Sequence, residues 1–208
     1  MNPAIVLQYP FTGRWLVQNS PANRVPSHGT NLFASSLAID FVPVYEHGRT
    51  APVAIGTWLG MEDSACFPGF GTPILAPCVG TVIAADDSMP DHKAHRGLAS
   101  VSYALTQRQR LAQGWQGLAG NHVMIQANGA IIVLCHLQQG SITVEFGDAV
   151  APGQVLGRCG NSGNSTEPHV HVQGIDRLPV QSAKAVPLLF AGKLPRNGQI
   201  LQIPGTGV

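Results

Sequence analysis

The chain has 208 residues, of which 12 are Lys or Arg and 11 are Asp or Glu; charge is thus scarce against the quarter of residues that an average globular chain carries, roughly, and long charged helices and coiled coils are excluded. Twenty-four glycines and 16 prolines beside a 44 % apolar fraction describe many turns around a real core, the reverse of a disorder signature. A formal net charge of +1 with no Lys/Arg cluster offers no electrostatic footprint for nucleic acid or for an anionic membrane surface.

In chain order, the N-terminal MNPAIVLQYP lacks a basic n-region and has only a short apolar run, so no signal peptide is legible, and the chain reads as cytoplasmic or as a mature form. Strands are predicted over Trp15–Gln18, Leu37–Val44, Cys78–Ala85, Asn121–Gln126, Ala130–Leu137, Ser141–Phe146, Val155–Cys159 and His169–Gln173, each between turn signals at sandwich or barrel spacing. Seven charges fall between Asp86 and Arg110. That segment, with His92, His95 and a helix-compatible run over Leu98–Gln113, reads as an exposed insertion; its histidines are a solvated surface or a loose second metal site. The end, Pro179–Val208, reads as irregular with a strand at Gln199–Ile203. The charge-free stretches Ser64–Ala85 and Leu111–Val144 are broken by Pro, Gly and polar residues, so no membrane span is predicted. The whole reads as one mainly β domain over 1–208.

Cys66, Cys78, Cys135 and Cys159 have no CxxC spacing, and buried free thiols are the expectation. Cys135 and His136 are strand neighbours pointing to opposite faces, so they form no nucleophile and base dyad. The passages GTPILAPCVGTVIAA from Gly71 and FGDAVAPGQVLGRCG from Phe146 resemble the turn and strand grammar of biotinyl/lipoyl-type domains. The lysine that such a carrier needs at a hairpin tip is missing.

Chemistry concentrates in His28, Asp40, His136, His169 and His171. Positions i and i+2 share a strand face, so His169 and His171 project together while Val170 and Val172 face the core. Alternation in LAIDFVPV puts Asp40 with Ala38 and Val42 on one face of an apolar strand. A carboxylate there needs compensation, from backbone N–H groups or, more completely, from a divalent cation. His28 lies on an upstream loop. His136 ends the most apolar strand, on the face of Ile132 and Leu134, and reads either as a core histidine bonded to a carbonyl or as a catalytic group.

The segment GDAVAPGQVLGRCGNSGNSTEPHVHVQ from Gly147 resembles the signature of the lysostaphin-like zinc metalloendopeptidases, approximately G-D-x-V-x-x-G-Q-x-I-G-x-x-G-x-T-G-x-S-T-G-P-H-L-H-F-E. GTPILAPCVGTV, GNHVMIQ and CHL are similar to that family's G-T-P-V-x-A-x-x-D-G-x-V, G-N-x-V-x-I and Y-x-H-L. The resemblance runs from about His28 to Gln173, with an insertion over about 86–115 and extensions at both ends. It implies an antiparallel β-sandwich or half-barrel related to the biotinyl/lipoyl folds, with one short helix in the insertion. It also implies one Zn²⁺ held by His28, Asp40 and His171, with His136 and His169 as catalytic histidines beside it. Three N/O ligands leave a fourth tetrahedral position for water, the mark of a catalytic zinc site, and with no HExxH glutamate a histidine must act as base.

The resemblance further implies hydrolysis of amide bonds in peptidoglycan peptides or cross-bridges, a bacterial source and a cell-envelope or secreted location. A non-catalytic metal-binding or regulatory scaffold on the same fold is the alternative. Three positions depart from the family pattern. Eleven residues separate His28 from Asp40 where the family has H-x-x-x-D; Glu167 replaces a glycine; and Gln173 stands where Glu is frequent.

Overall fold

The structure is a computed structural model that describes residues 3–51, 62–95 and 114–205. Thirteen strands lie among these residues: β1 (Ile5–Leu7), β2 (Gly13–Gln18), β3 (Ile39–Pro43), β4 (Pro73–Leu75), β5 (Gly80–Asp86), β6 (Asn121–Ala127), β7 (Ala130–Leu137), β8 (Ala149–Val150), β9 (Val155–Arg158), β10 (Val170–Ile175), β11 (Ala185–Val186), β12 (Leu188–Phe190) and β13 (Ile200–Ile203). One helix, α1 (Gly114–Ala119), precedes β6. The main sheet runs β13-β2-β3-β10-β7-β6-β5-β8, with β11 also paired to β10, and all its ladders are antiparallel. The fold is thus mainly β and antiparallel, as expected. The exception is the two-stranded pair β1–β12, which is parallel.

Period-two alternation decides what each face of the main sheet does. Ile39 and Phe41 of β3, Val170 and Val172 of β10, and Ile132 and Leu134 of β7 point into the principal core. There they meet Phe11 and Phe190, Ile74 of β4 and Leu156 of β9, so that β1–β12 and β4–β9 cover this face as a second layer. Rings meet at the centre, with Phe11 stacked 4.1 Å from Trp15 and Phe41 edge-on 5.0 Å from both Phe11 and Phe190. The opposite face carries a smaller cluster around Trp115, Val133 and Ile175. On this face lie Asp40, His171 and Gln173. The β6–β7 hairpin closes on Asn128 (φ 49°) and Gly129 (φ 77°), the pair of positive φ values that a two-residue turn matching strand twist requires.

Several expectations need correction. Ser141–Phe146 forms no strand: Asp87 and Asp148 take the N–H groups of Ile142 and Glu145, while those of Ser141 and Thr143 go to the carbonyls of Gln138 and Leu156. The described start of the insertion, 86–95, is no loose solvated surface. Asp91 accepts from the N–H groups of Gln139 and Asn161, and the buried Asn121 side chain bonds both the N–H and the carbonyl of Met89. The run Leu98–Gln113 lies outside the described residues. The C-terminal part is more regular than expected, with β11, β12 and β13. All four cysteines are free, but Cys66 is exposed and only the other three are buried. Among the described residues no helix is long and apolar enough to cross a membrane.

Candidate metal centre

Asp40 and His171 are direct cross-strand partners in the β3–β10 ladder, so their side chains leave the same face side by side. His171 Nδ1 lies 2.9 Å from Asp40 Oδ1, and His28, from the loop before β3, brings its Nε2 to 3.0 Å from Oδ2. Asn19 donates a further hydrogen bond to Oδ2 at 2.7 Å. Ligand atoms of His28, Asp40 and His171 all lie within 4.8 Å of one another, and this is the group of three or more such side chains that could hold a metal ion among the described residues. The long His28–Asp40 spacing is therefore bridged: residues 29–38 loop out and return both side chains to one point. His92 and His95 contribute no such group.

His169, just before β10, has its Nε2 3.8 Å from Asp40 Oδ1. His136 arrives by a different route. In the β6–β7 ladder Asn121 pairs with Leu137 and His122 with Cys135, which leaves His136 unmatched. It is a bulge residue with φ 64°, a left-handed conformation that costs a non-glycine residue and clusters at functional sites. Strict alternation would turn its ring into the principal core with Leu134. The bulge turns it instead toward the other histidines, 4.7 Å from the His169 ring and 5.9 Å from that of His171, and hands the core position to Leu137.

Each of the four rings has one nitrogen facing a group whose own bonding leaves it only able to accept. The N–H position, and hence the tautomer, follows from these partners. His136 Nδ1 donates to the Ser162 carbonyl at 2.9 Å, and His169 Nδ1 to the Glu167 carbonyl at 2.8 Å. Ser27 Oγ donates to the Ser35 carbonyl, so it accepts from His28 Nδ1 at 3.0 Å. Gln173 must present its amide nitrogen to the Phe33 carbonyl, so its Oε1 accepts from His171 Nε2 at 3.0 Å. In the neutral state, therefore, His28 Nε2 and His171 Nδ1 aim bare lone pairs at the Asp40 carboxylate. Two acceptors about 3 Å apart repel unless a proton or a cation sits with them. The two imidazole nitrogens and one carboxylate, with their other atoms tied back, fit a divalent cation.

Electrostatics describe the same arrangement. Burial works to raise the Asp40 pKa, but the charges of His28 and His169 and the hydrogen bonds of His171 and His28 outweigh it and hold the carboxyl well below its usual range. For His28, burial works to lower the pKa, yet the Asp40 charge and hydrogen bond prevail and raise it. His136 goes the other way. Burial first, then the charges of His169 and His171, push it well below the usual histidine value, so the ring is neutral.

The sequence reading missed the groups that orient these rings: Ser27, Ser162 and Ser165, Asn19, and the carbonyls of Phe33, Ser35 and Glu167. Gln173 stood out only as a departure from the family pattern. A serine beside a histidine is too common to signal anything, and a carbonyl has no sequence identity at all.

An antiparallel β fold with a His–Asp–His cluster and two further inward-facing histidines defines a protein with a candidate divalent-cation site. Residues 63–186 match peptidase family M23, and the chain belongs to this lysostaphin-like family. The matched stretch includes His136, His169 and His171, whereas His28 and Asp40 precede it. Lysostaphin of Staphylococcus simulans is 28 % identical over 108 residues, covering 50 % of this chain and 22 % of the relative. The peptidoglycan DD-endopeptidase ShyA of Vibrio cholerae serotype O1 is 39 % identical over 81 residues, 38 % of this chain and 18 % of the relative. The chain thus spans about a fifth of the length of the curated relatives it matches. Among solved structures, the catalytic domain of lysostaphin from S. simulans aligns over 73 % of this chain and 77 % of its own, at 18 % identity and a TM-score of 0.40.

Proposed function

We propose that this chain is a zinc-dependent endopeptidase that hydrolyses amide bonds in peptidoglycan peptides or cross-bridges, with His28, Asp40 and His171 as the zinc ligands. The observation that carries the reading is the convergence of bare imidazole nitrogens on one buried carboxylate. Membership of peptidase family M23 supports the reaction class, and the relatives named lysostaphin and peptidoglycan DD-endopeptidase support the substrate. When bound, zinc supplies a Lewis acid that makes water nucleophilic at neutral pH and polarises a scissile carbonyl.

The chain's own residues do the rest. His136 is kept neutral by burial, and its Nδ1–H is fixed on the Ser162 carbonyl; its Nε2 is the proton acceptor for the attacking water. His169, held at Nδ1 by the Glu167 carbonyl and Ser165 Oγ, turns its Nε2 to the same space. The proton that His136 takes from the water passes to this nitrogen, which hydrogen-bonds the developing oxyanion and then hands the same proton to the leaving amine.

The test joins metal analysis to hydrolysis of purified peptidoglycan. About one zinc per chain is expected. His171→Ala loses it, whereas His169→Ala keeps the metal and loses cleavage. Metal loss in both variants would make His169 a ligand and overturn the assignment. Stoichiometric zinc without turnover of peptidoglycan would favour the scaffold alternative.

A further inference from the structure

Between His28 and Asp40 the chain forms a 3-10 turn over Leu32–Leu37 whose interior holds two successive left-handed residues that are not glycine, Phe33 (φ 54°, ψ 31°) and Ala34 (φ 59°, ψ 25°). L-residues avoid that conformation, and it persists only where the surroundings over-determine it. The surroundings here are identifiable. Ala34 is buried in the second core cluster with Phe33 packed against it, and Ser35 Oγ closes the turn on the carbonyls of Leu32 and Thr30.

Two backbone carbonyls of this one turn reach two ligand histidines, each through a single side chain. The Phe33 carbonyl accepts from Gln173 Nε2 at 3.1 Å, which leaves Gln173 Oε1 to accept from His171 Nε2 at 3.0 Å. The Ser35 carbonyl accepts from Ser27 Oγ at 3.2 Å, which leaves that oxygen to accept from His28 Nδ1 at 3.0 Å. The Ser27 N–H is itself held by the Ser36 carbonyl at 2.9 Å. The two relays select opposite tautomers: Nε2–H at His171 and Nδ1–H at His28. In each ring that is the tautomer whose bare nitrogen faces Asp40.

We propose that the Leu32–Leu37 turn is a strap that presets both histidines for metal, with Ser27 and Gln173 as positioning residues acting through His28 and His171. The strap rests on the reading of those histidines as zinc ligands. Its effect is preorganisation: the ligand tautomers are chosen before metal arrives, so binding does not have to reorder them.

The experiment uses the full chain with Zn²⁺ alone as the probe, competed against a chromogenic chelator. Long-range ¹H–¹⁵N spectra of the metal-free protein read the ring tautomers. Ser27→Ala and Gln173→Leu are each expected to weaken zinc binding about 10–100-fold. Gln173→Leu releases His171 into a mixture of tautomers and leaves His28 in its Nδ1–H form; Ser27→Ala does the converse. Wild-type zinc affinity in Ser27→Ala and Gln173→Leu, or unchanged tautomers, would overturn the strap while leaving the zinc site standing. Failure of the wild-type chain to bind zinc would overturn the ligand assignment beneath it. If Gln173→Leu does not fold, Ser27→Ala decides the matter through the zinc affinity and the His28 tautomer.

Discussion

Gly163→Ala probes the contact that holds the His136 side of the site. Gly163 has φ +70°, and a Cβ there would collide with the Gly120 nitrogen and lie 2.7 Å from both Gly120 Cα and the Leu118 carbonyl oxygen. All three are backbone atoms and cannot rotate aside. The left-handed φ costs an L-residue about 1–2 kcal/mol, and forcing a methyl into an occupied place adds about 1–3 kcal/mol. For a chain of this size the sum lowers the melting temperature by about 4–20 °C. Gly129→Ala is the matched control, because Gly129 has φ +77° with nothing within 4 Å of its would-be Cβ; it bears the conformational cost alone, about 2–8 °C. Circular-dichroism melts of the two variants isolate the clash as their difference. Should they melt together, the close approach of Gly163 to Gly120 is wrong, and with it the account of how the Ser162 carbonyl is held against His136.

Other outcomes follow from burial and charge. Phe41→Ala removes a ring with no exposed surface between Phe11 and Phe190 and should cost about 3–5 kcal/mol, read as a lower urea midpoint at unchanged slope. Asn121→Ala strands the N–H and carbonyl of Met89 and removes one of two side-chain donors from the Leu137 carbonyl, which keeps Ser162 Oγ; a loss of about 2–4 kcal/mol should come with faster proteolysis near residues 86–95. In the chelated protein, the His136 pKa lies below its unfolded value, so the unfolded chain binds more protons there and stability rises as pH climbs to about 6.5. The His28 pKa lies above its unfolded value. Its contribution is complete below about 6.5 and is lost as pH rises through the folded value. Chelated protein should therefore be most stable near neutrality, and in His28→Ala the alkaline decline should disappear from pH-dependent urea titrations.

Much of this arrangement was readable from residues because it depends on local periodicity. Asp40 and His171 share a face since each sits one residue from core positions on its own strand, and β6 and β7 are bounded by an unmistakable turn at Asn128–Gly129. What escaped depends on partners far along the chain. The bulge at His136 exists only relative to β6, which offers one residue fewer across the ladder. Ser141–Phe146 alternates well enough for a strand, but Asp87 and Asp148 reach the N–H groups of Ile142 and Glu145 first. The strap is built from carbonyls, which every residue owns.

The bulge also has a genetic consequence. A strand with one surplus residue can lose it and still pair, so a deletion of Leu137 would let β7 run against β6 without interruption. Such a chain would express and fold with its hairpin intact, while its imidazole pointed among Leu134 and its apolar neighbours. Reading frame, composition and strand count would all look normal. For this protein the tally of residues in one strand is as much a determinant of the site as the identity of the histidine it carries.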